Sequence, residues 1–230
     1  MYALASTNGK GVKVIRYNRK ESQLIGPLIY CYQQVFAGPP WNEWKKCSNS
    51  DCPDPLGYWG NKDREQLIAC GFVHCGKPMV DYWSSDQVKI DLEHELTDET
   101  SCWLCLDGNQ VIGFCWGYPI SLKELEDKLH IEINVSTLGD KRQLVAYQDE
   151  MGIIDSYRGT GLAKEMFLNR LDDFLSHGLE TTIVRTRELP NPSVTFSWFV
   201  KKLGYKIVAR YEDGRVVLTS HLIGLKELLH

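Results

Sequence analysis

Three groups of residues have types and spacings that could do chemistry. The first is Arg158-Gly159-Thr160-Gly161-Leu162-Ala163, preceded by Tyr157. Glycines at a strand-to-helix turn let the backbone curl with its N–H groups outward, and the first turn of a helix adds unpaired donors and partial positive charge. Such a loop is a cradle for pyrophosphate. A P-loop is excluded, since no Gly-x4-Gly-Lys-Ser/Thr run exists, and so is a dinucleotide fingerprint, since Lys164 stands where its third glycine belongs. The second group is Asp149 and Glu150, adjacent carboxylates on a strand pattern that point to opposite faces, with Tyr147 on the face of Asp149. The third is Cys47-x4-Cys52 and Cys70-x4-Cys75. Paired cysteines with short internal spacing hold tetrahedral zinc, and Cys75-Gly76-Lys77-Pro78 looks like the end of a zinc knuckle. The expectation is a structural zinc on Cys47, Cys52, Cys70 and Cys75, with His74 as an alternative ligand and free thiols or disulfides as the competing states.

The elements that must position these groups follow from hydrophobic period and turn chemistry. Residues 12–17 alternate as a strand, and Leu24, Leu28, Tyr32 and Val35 recur at helical spacing until Gly38-Pro39-Pro40 ends the run. Residues 41–83 lose any period and are read as an irregular, Cys-rich insertion. Ser84 or Ser85 caps a helix striped by Val88, Leu92 and Leu96. Two strands, 101–106 and 111–116, flank Asp107-Gly108-Asn109 as a hairpin. Ser121 and Glu124 form a capping box for a helix to Leu129. A strand over 143–154 leads into the glycine loop, and a helix over 161–177 carries Leu162, Met166, Phe167, Leu171 and Phe174 on one face. A strand at 181–186, a helix over 193–203 and a last hairpin around Asp213-Gly214 complete the chain. The fold class is α/β (α+β), a mixed central sheet with flanking helices. The expected organisation is one domain over 1–230, with 41–83 inserted.

Composition excludes other classes. A formal charge of −4 does not suit a nucleic-acid binder, and no apolar run approaches the length of a membrane span. The first residues lack the charged and apolar regions of a signal peptide. A cytoplasmic setting is expected, in which the eight cysteines are thiols or metal ligands. Cys31, Cys102, Cys105 and Cys115 fall on helix or strand patterns as buried small hydrophobes.

Arg158-x-x-Gly161-x-Ala163, between a strand and an apolar-striped helix, closely resembles the coenzyme loop of the GNAT superfamily of N-acetyltransferases. The order of elements matches, most clearly from about Thr100 to Ser220. The run Pro39-Pro40-Trp41-Asn42-Glu43, with Ile112-Gly113-Phe114-Cys115-Trp116-Gly117, is similar to a bacterial group within that superfamily, from which no acceptor follows.

The resemblance implies a GNAT fold and transfer of an acetyl group from acetyl-CoA to a primary amine, on a small molecule or a peptide. It implies that Arg158, Gly159, Thr160, Gly161, Leu162 and Ala163 line the pyrophosphate. It assigns the pantetheine arm to the main chain of Gly152, Ile153 and Ile154, and a further coenzyme contact to Asn191. It makes Glu150, ahead of Asp149, the general base. It puts Trp41 and Glu43 at the acceptor, where aromatic rings and a carboxylate suit a cationic amine, whereas Trp44 and Trp59 suit a small core around the cysteines. The chain departs from the family at Val200, where many members place a Tyr as general acid. A non-catalytic acyl-CoA-binding module and an interaction protein docking through its zinc insertion are therefore the alternatives.

Overall fold

The computed structural model describes residues 7–8, 11–54, 56–134, 140–190 and 192–229, so Asn191 lies outside the described residues. The strands are Thr7–Asn8 (β1), Val12–Arg16 (β2), Lys45–Lys46 (β3), Tyr58–Trp59 (β4), Val73–His74 (β5), Lys77–Pro78 (β6), Val80–Asp81 (β7), Ser101–Asp107 (β8), Gln110–Ser121 (β9), Leu144–Ile153 (β10), Thr181–Arg187 (β11), Lys206–Arg210 (β12) and Arg215–His221 (β13). The α-helices are Ile25–Ala37 (α1), Arg64–Ala69 (α2), Ser85–Glu95 (α3), Leu122–Leu129 (α4), Leu162–Ser176 (α5), Val194–Ser197 (α6) and Leu222–Leu229 (α7). A mixed sheet has the strand order β1-β2-β8-β9-β10-β11-β13-β12, with β10 and β11 parallel. Among the described residues no helix is long and apolar enough to cross a membrane.

Contacts divide the chain into two compact units. One comprises Met1–Thr97, Cys105–Phe114 and Gly152–Leu162; the other comprises Asp98–Leu104, Cys115–Met151 and Ala163–His230.

In the second unit, strand alternation builds two apolar layers. Val145, Tyr147, Ile183 and Val217 pack with Leu122, Leu125 and Leu129 of α4. Their chain neighbours Ala146, Val184, Val216 and Leu218 pack with Phe167, Leu171 and Phe174 of α5 and Leu222 and Leu225 of α7. Neighbouring strand residues point to opposite faces, so one run of sequence feeds both layers. Burial of each large apolar side chain contributes about 1.5–3 kcal/mol. The capping box at α4 forms: Ser121 Oγ accepts from Glu124 N–H, and Glu124 accepts from Ser121 N–H, both at 3.2 Å.

Three sequence expectations change. The helix over 193–203 is α6, capped by Ser193, followed by a π-helical turn Trp198–Lys202, because Leu203 N–H donates to Trp198 O. The wider turn lets both Trp198 and Phe199 meet Phe167, at ring distances of 5.0 and 5.7 Å. Helix α7 was not anticipated. The insertion, read as irregular, holds helix α2, a three-stranded sheet in the order β4-β3-β7 and the hairpin β5–β6. Strands of two residues are too short for a period to show in sequence.

Candidate active site and metal centre

Strand β10 pairs with β11 at Ala146–Thr182, Tyr147–Ile183 and Gln148–Val184, and the ladder ends there, although β10 continues to Ile153 and β11 to Arg187. Asp149 and Glu150 are the first residues past the last pair. Buried Arg170 of α5 holds this point. Its Nη1 donates to Trp116 O of β9 at 2.9 Å and to Glu150 O of β10 at 3.1 Å, and its Nη2 donates to Gln148 Oε1. Gln148 Nε2 donates in turn to Thr182 Oγ1 and Tyr205 Oη, each at 2.7 Å. The buried cation is compensated by carbonyl dipoles through Nη1 and Nη2, while its Nε, also buried, has no hydrogen-bond partner among the described residues. One arginine in the polar positions of α5 gave no sequence signal for this role.

The two carboxylates differ. Asp149 accepts from Tyr118 Oη at 2.8 Å and pairs with Lys128 Nζ at 3.1 Å, with its side chain 7% exposed. Glu150 is half-buried, and its main-chain carbonyl is the one Arg170 holds. Tyr147 is buried, and desolvation pushes its hydroxyl well above the usual tyrosine range, so it stays protonated near neutral pH. Val200 is half-buried against the α5–α6 apolar layer and has no polar group to offer.

In the first unit, β10 ends against helix α1. A Cβ built on Gly152 would stand 2.6 Å from Val35 Cγ1 and 2.8 Å from Phe114 Cζ, so only glycine fits. Ile154 N–H donates to Ile112 O, and Ile153 O accepts from Arg158 Nε at 3.1 Å. The loop then turns through Gly159 and Gly161, at φ 76° and 91°, a region that strongly favours glycine. Arg158 folds back over the loop: its Nη1 pairs with Asp155 Oδ1 at 2.7 Å and reaches Pro39 O at 3.4 Å. Tyr157 Oη donates to Asp107 Oδ2 at 2.6 Å, and Thr160 Oγ1 donates to Tyr157 O at 2.7 Å. The N–H groups of Gly159, Thr160 and Gly161 find no intramolecular acceptor among the described residues, and Leu162 and Ala163 follow as the first turn of α5. A run of free donors at a helix start can hold an anion.

Also in this unit, Trp83 Nε1 donates to Glu43 Oε2 at 2.9 Å. Burial raises the Glu43 carboxyl pKa, against the Trp83 hydrogen bond that lowers it. Trp41 is 40% exposed and lies 5.5 Å from Phe36. Trp83, Tyr82 and Tyr32 complete the ring cluster, and the sequence reading did not single them out as a site. Trp44 packs edge-on to Phe72 at 5.7 Å, and Trp59 lies 4.6 Å from the His74 ring, the small core expected around the cysteines.

The metal expectation needs one correction. Ligand atoms of Cys47, Cys52, His74 and Cys75 all lie within 4.8 Å of one another. Cys70 is not among them: it is exposed at the end of α2, and its Sγ donates to Leu67 O at 3.3 Å. His74 takes its place because the hairpin β5–β6 turns through Cys75 and Gly76, at φ 52° and 71°, as a tight two-residue hairpin turn requires. Hydrogen bonds from His74 and the Asn49 N–H lower the Cys47 thiol to about 7, while burial and neighbouring thiols raise Cys75 to about 11. Among the described residues, which include all eight cysteines, there is no disulfide.

The class defined by this fold and loop is confirmed by comparison. Residues 74–205 match the model of the acetyltransferase (GNAT) family, and the chain belongs to that family. No match was found among curated proteins. The chain is similar in structure to the aminoglycoside 6'-N-acetyltransferase from Enterococcus faecium, at 13% identity over 91% of this chain and 96% of that one, with a TM-score of 0.51. It is likewise similar to a Pyrococcus horikoshii protein at 13% identity, covering 91% and 98% of the two chains, with a TM-score of 0.53. A putative GNAT acetyltransferase of Desulfovibrio desulfuricans is similar at 8% identity over 92% and 99%, with a TM-score of 0.51.

Proposed function

We propose that this GNAT protein transfers the acetyl group of acetyl-CoA to a primary amine by direct attack. The observation that carries the reading is the turn between β10 and α5, which presents three free N–H groups at Gly159, Thr160 and Gly161. In this reading those donors, with Arg158, Leu162 and Ala163, hold the pyrophosphate, and main-chain groups of Gly152, Ile153 and Ile154 hold the pantetheine arm. Asn191 adds a coenzyme contact. The amine nitrogen bonds to the thioester carbon, the C–S bond breaks, an amine proton passes to Glu150 directly or through water, and the thiolate is protonated to CoA. Glu150 is taken ahead of Asp149, whose side chain is only 7% exposed. Acetyl-CoA titration followed by thiol release with a panel of amines tests this. Binding without CoA release from any amine would sink it.

A second reading, a non-catalytic acyl-CoA-binding module, is favoured by Val200, and the same pair of measurements decides between them.

Zinc is the second part of the proposal, held by Cys47, Cys52, His74 and Cys75. Thiolates at about 2.3 Å and an imidazole at about 2.0 Å in tetrahedral array place S···S near ~3.8 Å and S···N near ~3.5 Å. Cys52 Sγ–Cys75 Sγ is 3.8 Å and Cys52 Sγ–His74 Nδ1 is 3.5 Å, while Cys75 Sγ–His74 Nδ1 is closer, at 3.1 Å. The metal would act structurally, tying β3 to the hairpin β5–β6. Eight cysteines with no disulfide among them suit a reducing, cytoplasmic setting. We read the chain as one domain over 1–230 with 41–83 inserted, in line with the family match over residues 74–205.

A further inference from the structure

Glu43 is a carboxylate without a cation. It is half-buried, its Oε2 accepts from Trp83 Nε1, and its N–H donates to Phe36 O at 2.8 Å. Among the described residues no lysine or arginine forms an ion pair with it. The nearest in sequence are otherwise engaged: Lys45 pairs with Asp81 at 2.7 Å, and Lys46 Nζ rests over the Tyr82 ring at 5.3 Å. Partly desolvated carboxylates are costly unless paired, so the site is electrostatically incomplete.

Aromatic rings cluster about Trp83, the hydrogen-bond donor to Glu43. Trp83 lies 5.7 Å from Tyr32, 6.1 Å from Phe36 and 5.3 Å from Tyr82. Trp41, 5.5 Å from Phe36, opens the cluster to solvent. The rings continue toward the coenzyme strand: Tyr32 stacks on Phe114 at 5.7 Å, and Phe114 crowds Gly152. Between Phe36 and Trp41 the chain touches the loop, since Arg158 donates to Pro39 O. A path of apolar rings therefore leads from the end of β10 to an unpaired negative charge.

That arrangement constrains the acceptor. The amine that attacks a thioester must be neutral. A carboxylate that holds a partner in its ammonium form works against attack, so the ammonium it holds is not the one that reacts. Resting on the acetyl-transfer reading above, we propose that Glu43, with Trp41, Tyr82 and Trp83, binds a second, non-reacting ammonium group, and that the acceptors are diamines or polyamines whose charges are separated by an apolar stem. The rings cover the stem and add cation–π attraction for the held charge. The reaction itself is unchanged: the free amine forms the amide, and the C–S bond of acetyl-CoA breaks.

The test compares putrescine with butylamine, which lacks the second amine, by thiol release with acetyl-CoA. The expected result is a kcat/KM at least ~10-fold higher for putrescine, carried by KM, and a fall of that ratio by ~10-fold in Glu43→Gln. A merely structural loss would lower both amines together and leave the ratio unmoved. Trp41→Leu, at an exposed ring, provides a second variant in which the ratio falls in the same direction. Equal use of both amines, or an unchanged ratio in both variants, overturns the diamine assignment alone. No CoA from either amine while acetyl-CoA still binds also overturns the diamine assignment, and only silence across the wider panel of amines overturns the transfer reading beneath it.

Discussion

Tyr157 donates its hydroxyl proton to the Asp107 carboxylate at 2.6 Å, so the first residue of the glycine loop is fastened to the end of the β8 strand. The partner carboxylate raises the Tyr157 hydroxyl above the usual tyrosine range. The loop is thereby held at its start, as Arg158 and Thr160 hold it further on. Replacing Tyr157 by Phe leaves Asp107 without this donor. The expected outcome is acetyl-CoA binding weakened ~5–20-fold by calorimetric titration, with the far-ultraviolet circular dichroism unchanged.

The contact of Gly152 with Val35 and Phe114 predicts a rescue. Gly152→Ala places a methyl in overlap with Val35 Cγ1 and should cost about 1–3 kcal/mol. Truncating the obstacle in the double variant Gly152→Ala/Val35→Ala should recover part of that loss, read as non-additivity in denaturant melts.

Metal analysis separates the ligands. Protein purified without chelator should carry zinc near one equivalent, and Cys70→Ser should keep it. Cys52→Ser and His74→Gln should lose most of it and unfold at lower temperature. Zinc retained in His74→Gln but lost in Cys70→Ser would restore the ligand set expected from spacing.

The carboxylates at the end of the ladder should separate kinetically. Glu150→Gln is expected to lower kcat by ~100-fold or more with little change in acetyl-CoA affinity. Asp149→Asn, which breaks the pair with Lys128, should act mainly through a lower melting temperature.

The capping box of α4 predicts a pH dependence. Hydrogen bonds from the Ser121 hydroxyl and N–H hold the Glu124 carboxyl below its usual 4.5. A group whose folded pKa is depressed stabilises above its unfolded pKa and loses that contribution as pH falls through the folded pKa. The melting-temperature difference between wild type and Glu124→Gln should therefore be present at neutral pH and close as pH drops below about 4.5.

What the sequence determined by itself is the local part. The stripe on α5, the Ser121–Glu124 box, the Asp107-Gly108 turn and the glycine loop each depend on residues a few positions apart, and the structure forms all of them. Their physics is carried by backbone period, caps and positive φ, which a short window contains. Tertiary structure decided the rest. Spacing favours Cys70, with His74 as the alternative, but the α2 terminus carries Cys70 out of the cluster while the β5–β6 turn brings His74 in. Arg170 reads as a surface charge until β9 and β10 present their carbonyls to it. Glu43 meets Trp83 only because β3 and β7 pair antiparallel, with Lys45 opposite Asp81, which brings the residues flanking the two strands together. Such partners are far apart in the chain, and nothing in either neighbourhood encodes the other. Their proximity is set by chain packing, which decides where charge is left unpaired.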